Sequence, residues 1–236
     1  MQKRNIIIVT VSIILVLCLA AGCFFVFGSY LPRKKEQAEW ERFLQEYYNS
    51  KIAFYRDENE AYAEVDVAFL GDSLTDGYDL AHYYPQYKTA NRGIGGDTTH
   101  GLLQRLEVSV YALQPKVAVL LIGCNNLDTM LEDYESILKG LQENLPNTQV
   151  VLVSLTPMGK ERAEKNEKAA YNNVIIKKLA DKYDFAFVDL FSPLLDETTG
   201  EIRANYTTDG VHLTPLGYSV FTDALTPVLE ELLNDK

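Results

Sequence analysis

Cysteine is nearly missing from this chain. Of the three in 236 residues, Cys18 and Cys23 lie near the start and Cys124 stands alone in the remainder. Residues 36–236 therefore contain no pair for a disulfide and no Cys/His cluster with the spacing of a zinc site. Basic residues are also scarce there. That stretch holds all 33 Asp and Glu residues but five fewer than the 22 Lys and Arg of the whole chain, making it more acidic than the overall formal charge of −11. A surface of that sign repels nucleic acid, and no basic stripe with interleaved aromatics interrupts it. Internal repeats and low-complexity tracts are absent too, which leaves solenoids and arrays out. About 200 residues can bury one sizeable core, so a single domain is the expectation for the bulk of the chain.

One long uncharged segment stands apart. Residues 6–28, following Lys3 and Arg4, run for 23 residues without a charge. As a helix they would span about 34 Å at roughly 1.5 Å per residue, enough to cross a hydrocarbon core of about 30 Å. The length favours a retained membrane anchor or uncleaved signal over residues 1–35, because signal h-regions are usually about 7–15 residues. A lipidated Cys23 in "LAAGC" and a cleaved signal are the rivals. All three put the remainder at or outside a membrane. Lys3 and Arg4 before the run nearly balance Arg33, Lys34 and Lys35 after it, so the positive-inside rule orients it weakly. An inside N-terminus and an extracytoplasmic domain are expected.

Residues 36–63 read as a helical connector, with Trp40, Phe43, Leu44, Tyr47 and Tyr48 recurring at three and four residues. That aromatic stripe is expected to pack on the following domain. From 64 to 236, short apolar runs alternate with helical patterns. Strands are predicted at 65–70, 87–91, 117–123, 149–155 and 185–190, with helical spacing at 98–112, 132–145 and 163–182. A last helix starts at Thr214-Pro215, a cap followed by proline at the first helical position, and a kink is expected at Pro227. Strands apolar throughout and separated by helices describe a parallel sheet covered on both faces. The fold class is α/β: a three-layer α/β/α sandwich with about five parallel strands.

Such sheets bind ligands beyond the carboxyl ends of their strands. After the first predicted strand, "FLGDSLTDG" ends an apolar run on Gly71, Asp72 and Ser73. After the second comes "NRGIGGDTT", with Gly93, Gly95, Gly96 and Asp97; after the third, Gly123 to Asn126 in "GCNN". Beyond the fifth, a long loop leads to Asp209-Gly210-Val211-His212. A serine, a glycine run, an asparagine and an Asp/His pair thus fall on one edge. Gly93–Gly96 do not make a dinucleotide loop, since Thr98 stands where the third glycine would be. Thr75 likewise takes the place of the second glycine of a nucleophile elbow.

In these four ordered blocks the sequence resembles the GDSL-type, or SGNH, hydrolase superfamily over about residues 64–218. Gly71-Asp72-Ser73-Leu74 matches the first block, Gly96 the second, Gly123-Cys124-Asn125 the third, and Asp209 with His212 the fourth. The third departs from the family pattern at Asn126, where Asp is usual. The resemblance implies a flavodoxin-like fold and a serine esterase. Ser73 would be the nucleophile, His212 the base and Asp209 its orienting carboxylate. The Ser73 and Gly96 N–H groups and the Asn125 amide would form the oxyanion hole. No cofactor or metal is implied. The chemistry is consistent with the residues: a serine hydroxyl needs a base near neutrality, and a carboxylate three residues from the histidine can fix its tautomer. The expected substrate is a short-chain acyl ester, acetyl among them, of a carbohydrate or small molecule. An acyltransferase and a non-catalytic surface binding module are the alternatives. Asn126 is expected to keep a structural hydrogen bond and Cys124 to pack beneath the site. His82 and His100 are expected at the surface or behind the site. Tyr78, Tyr83 and Tyr84 are open between sugar stacking and packing beside the sheet.

Overall fold

The computed structural model describes residues 24, 28 and 31–234. The apolar run at 6–28 thus lies almost wholly outside the described residues; among those described, no helix is long and apolar enough to cross a membrane. The first helix, α1, covers Leu31–Ala61. The chain divides into two compact units between Tyr47 and Tyr48. In the first, Trp40 stacks on Phe43 at 5.5 Å and Phe43 on Tyr47 at 6.3 Å. Trp40 and Phe43 are 59% and 54% exposed.

The second unit begins with the rest of that helix. Here Tyr55 is fully buried, donates to the Gly93 carbonyl and lies under the Arg92 guanidinium at 4.6 Å. Glu58 accepts from Arg92 at 2.7 Å. The sheet follows: β1 Val67–Gly71, β2 Thr89–Gly93, β3 Val117–Leu121, β4 Gln149–Val153 and β5 Ala186–Val188. All pairings are parallel, in the order β2-β1-β3-β4-β5. Three of the connecting segments contain substantial helices: α2 Thr99–Gln104, α3 Met130–Asn144 and α4 Asn166–Tyr183. The final helix, α5 Pro215–Asn234, remains helical through Pro227. The proline costs it one i→i−4 bond without ending it.

Period-two alternation shows why both faces must be covered. Ala68 and Leu70 of β1, Ala118 and Leu120 of β3, and Val150 and Leu152 of β4 join one core with Leu102, Ile137, Leu141 and Ile176 of the helices. Their neighbours Val67, Phe69, Val117, Val119, Val151 and Val153 join the other, against Phe221, Leu225 and Leu229 of α5. Tyr78 and Tyr84 are 2% and 1% exposed within that second core, so these two rings are packing groups rather than a sugar platform. The three-layer arrangement is therefore dictated by strands that are apolar on each side. The chain leaves β1 for β2 on one flank and returns to β3 on the other. That reversal opens a crevice at the carboxyl ends of β1 and β3.

Candidate active site

β1 ends where only glycine fits. A Cβ on Gly71 would lie 2.2 Å from the Thr75 hydroxyl and 2.3 Å from the Leu121 carbonyl. Asp72 then caps a single helical turn, Ser73–Asp76, its side chain accepting from the Leu74 amide at 3.1 Å. Ser73 is therefore the first residue of that turn, half-buried at the lip of the sheet. Among the described residues no acceptor is paired with its N–H or with that of Gly96.

The Asp209–His212 loop is folded by its own polar groups. Asp209 Oδ1 accepts from the Val211 and His212 amides, each at 2.9 Å. Gly210, at φ +95°, packs on Gly159, and the Gly159 amide donates to its carbonyl at 2.8 Å. Thr207 Oγ1 and the Thr208 amide both donate to the His212 carbonyl at 2.9 Å. The loop thereby points the imidazole across the strand ends. His212 Nδ1 meets Asp209 Oδ2 at 2.7 Å, and Nε2 meets Ser73 Oγ at 3.0 Å. Partial burial alone would raise the Asp209 carboxyl, but the bonds from the His212 ring and the two amides hold it well below the usual carboxylate range. An ionised Asp209 makes Nδ1 the donor, which leaves Nε2 free to accept the serine proton.

The loops that follow β2 and β3, the strands on either side of β1, carry the remaining groups. Gly96 takes φ +79°, a left-handed conformation that glycine adopts without penalty. The Asn125 side chain is exposed and donates one N–H to the Asp97 carbonyl at 2.8 Å. An amide carries a second N–H, which that bond leaves over. Asn126 donates to Thr99 Oγ1 at 2.9 Å and accepts from the Met130 amide through its carbonyl at 2.8 Å. It ties the β3 loop to α2, so the substitution of amide for carboxylate preserves a structural link. Cys124 packs below, and burial pushes its thiol up. His100 lies at the surface between Asp133 and Gln104, and His82 edges against the Tyr83 ring.

Two supports were not singled out from the sequence. Arg105 is 2% exposed and donates to Asp97 Oδ2 at 2.8 Å, to the Arg92 carbonyl at 2.9 Å, to Ser109 Oγ at 2.8 Å and to the Gly71 carbonyl at 3.0 Å. It fastens the end of β1 to the residue whose carbonyl holds Asn125. Its signal was a cation amid the apolar residues Leu102, Leu103 and Leu106. Asp76 is the second: its Oδ2 accepts from the Gly95 amide at 3.1 Å and its Oδ1 meets Lys51 Nζ at 2.7 Å.

Asp72 is the costly member. It is 1% exposed, and its Oδ2 has no hydrogen-bond partner among the described residues. Burial raises its carboxyl to about 7, with the nearby Asp97 adding to the effect. The folded state therefore binds a proton that the unfolded state releases near pH 4. The contribution of Asp72 to stability falls as pH rises through the window from about 4 to 7. Asp72→Asn keeps the acceptor for Leu74 and removes the charge. Relative to this variant, the parent is expected to lose roughly 1–3 kcal/mol between pH 5 and pH 7.5. Urea denaturation of both proteins at the two pH values measures it; parallel pH slopes would rule the effect out.

Sheet order and loop placement define a three-layer α/β fold whose five-stranded parallel sheet brings Ser73, Gly96, Asn125 and the Asp209–His212 loop in from separate strand ends. The GDSL-like Lipase/Acylhydrolase family matches residues 69–220, more than half of the chain, which therefore belongs to that family. The enzyme is an SGNH-type hydrolase of acyl esters. The alpha1 subunit of platelet-activating factor acetylhydrolase IB from Bos taurus is 31% identical over 183 residues, covering 72% of this chain and 77% of that protein. A Streptococcus pneumonia structure, provisionally described as a platelet activating factor, superposes with TM-score 0.77 at 28% identity over 83% of this chain and 99% of its own. The acetyl xylan esterase AlAXEase gives TM-score 0.59 at 26% identity over 70% and 99%. Among the described residues no group of His, Cys, Asp and Glu is arranged to hold a metal ion.

Proposed function

We propose that this enzyme is a serine esterase that removes short acyl groups, acetyl foremost, from a carbohydrate or other small ester. The observation that carries the reading is the continuous chain Ser73–His212–Asp209, joined by hydrogen bonds of 3.0 and 2.7 Å. In this mechanism His212 Nε2 takes the Ser73 proton as Oγ attacks the ester carbonyl. Asp209 stabilises the imidazolium without itself becoming protonated. The tetrahedral oxyanion is met by the Ser73 and Gly96 N–H groups and by Asn125. His212 then protonates the leaving alcohol, and a water activated by the same imidazole releases the acid.

Acetyl is favoured by the relatives, among which are an acetylhydrolase and an acetyl xylan esterase. The enzyme is expected to turn over 4-nitrophenyl acetate with a kcat/KM at least about tenfold above the octanoate, the scale of a few methylenes without a pocket. A strong preference for octanoate would sink the short-chain assignment. The uncharged run at 6–28 supports placing the activity on the outer face of a membrane. Full-length protein should then stay with membranes through an alkaline carbonate wash and be digested by protease added outside intact cells. Release into the wash, or full protection from the protease, would reject that placement.

A further inference from the structure

We propose that the preferred ester carries an anionic group, received by Lys165 and Lys168 in the cavity beside Asn125. The proposal rests on the esterase reading and narrows its substrate class.

The cavity holds about 310 Å³, at the small end of ligand sites, and is walled by Cys124, Asn125 and Asn126 on the β3 side. Opposite stand Lys165 and Lys168, from the turn Lys160–Lys165 and the start of α4. It therefore adjoins the amide offered to the oxyanion. Two ammonium groups at that position are unexpected in a chain of net charge −11. The same segment carries Glu161, Glu164 and Glu167, yet none of the three lines the cavity. One acid does. Asp128 lies 4.0 Å from Lys168 with its side chain 94% exposed, a loose contact largely screened by water. Two cations against one solvated carboxylate leave the wall positive.

Two further observations tie this segment to the reactive centre. Lys160 Nζ donates to the Thr208 carbonyl at 3.3 Å, anchoring the turn to the loop that carries Asp209 and His212. The charge of Arg162 also reaches the Cys124 thiol beneath the cavity. A carboxylate or phosphate attached to the substrate gains from this field, whereas a neutral ester gains nothing from it. The anion is placed on either the acyl or the alcohol portion, since both emerge from a carbonyl held at Ser73.

The test is steady-state hydrolysis by the full-length protein of two matched pairs. One is 4-nitrophenyl hexanoate against the 4-nitrophenyl monoester of adipic acid, which puts the anion on the acyl side. The other is acetylated methyl glucoside against acetylated methyl glucuronoside with its carboxylate free, which puts it on the alcohol side. In one pair the anionic member should show about tenfold higher kcat/KM at low salt, the scale of one partly screened charge contact. That ratio should shrink by about 0.3 M salt, where screening is strong. It should approach one in K165Q/K168Q and invert in K165E/K168E. Which pair responds identifies the portion that bears the anion. Equal turnover within both pairs, or a ratio that survives K165Q/K168Q, overturns the proposal and leaves the esterase intact. If no ester is hydrolysed above the Ser73→Ala background, the esterase reading fails and this proposal falls with it.

Discussion

Ser73→Ala is expected to lower kcat on 4-nitrophenyl acetate by about 10⁴-fold or more, with KM little changed. The expectation follows from where the serine sits. Its hydroxyl meets His212 Nε2 at 3.0 Å. Removing it deletes the acyl-enzyme route and leaves only binding and the oxyanion donors to assist water. Stability should barely move, because Ser73 is half-buried and its side chain contacts only the imidazole. In the proposed triad Ser73, His212 and Asp209 act as one device, so their losses should not add: Ser73→Ala/His212→Ala should be no slower than Ser73→Ala alone. A single variant retaining more than about a tenth of the parental kcat would remove Ser73 from the chemistry.

Asn125→Ala is expected to lower kcat by roughly 10²–10³, about 2.7–4 kcal/mol of transition-state stabilisation. KM should again be nearly constant, since in the proposed mechanism the donor meets charge that develops only in the tetrahedral state. The side chain is exposed and its one intramolecular bond is to the Asp97 carbonyl at 2.8 Å. The variant should therefore fold normally, and thermal melting can verify this. A kcat equal to the parent would mean that the second N–H does not face the reacting oxygen. Asn125→Asp makes the sharper comparison: the same shape with a negative charge in place of the donor should be at least as damaging as alanine.

The sheet was legible because its strands are apolar on both faces, as in "VAVLL" at 117–121. Once strand order is fixed, Ser73 and His212 must meet although 139 residues separate them. Asp209 and His212 were readable as a pair from their spacing; their closeness to Ser73 came only from the topology. Arg105 was harder to see. A cation among Leu102, Leu103 and Leu106 hints at burial without naming its partners, and the bonds of Arg105 to Asp97 and to the Gly71 and Arg92 carbonyls exist only when three loops converge. The burial of Asp72 was hidden for the same reason, since Gly-Asp-Ser also spells an exposed turn. The aromatic spacing at Trp40 and Phe43 was legible as a helical face, and the two rings stack along it at 5.5 Å. Helical periodicity gives a face, but nothing in it supplies the surface that face would cover.

The most direct measurement is fluorophosphonate labelling of the full-length protein, followed by peptide mass spectrometry. A phosphonate mimics the tetrahedral acyl intermediate, so it marks a serine only where a base and an oxyanion site act together. The account predicts one modified residue, Ser73, with labelling abolished in Ser73→Ala and slowed severely in His212→Ala. A folded protein that takes no label, or takes it at another serine, would contradict the assignment of Ser73 as an activated nucleophile.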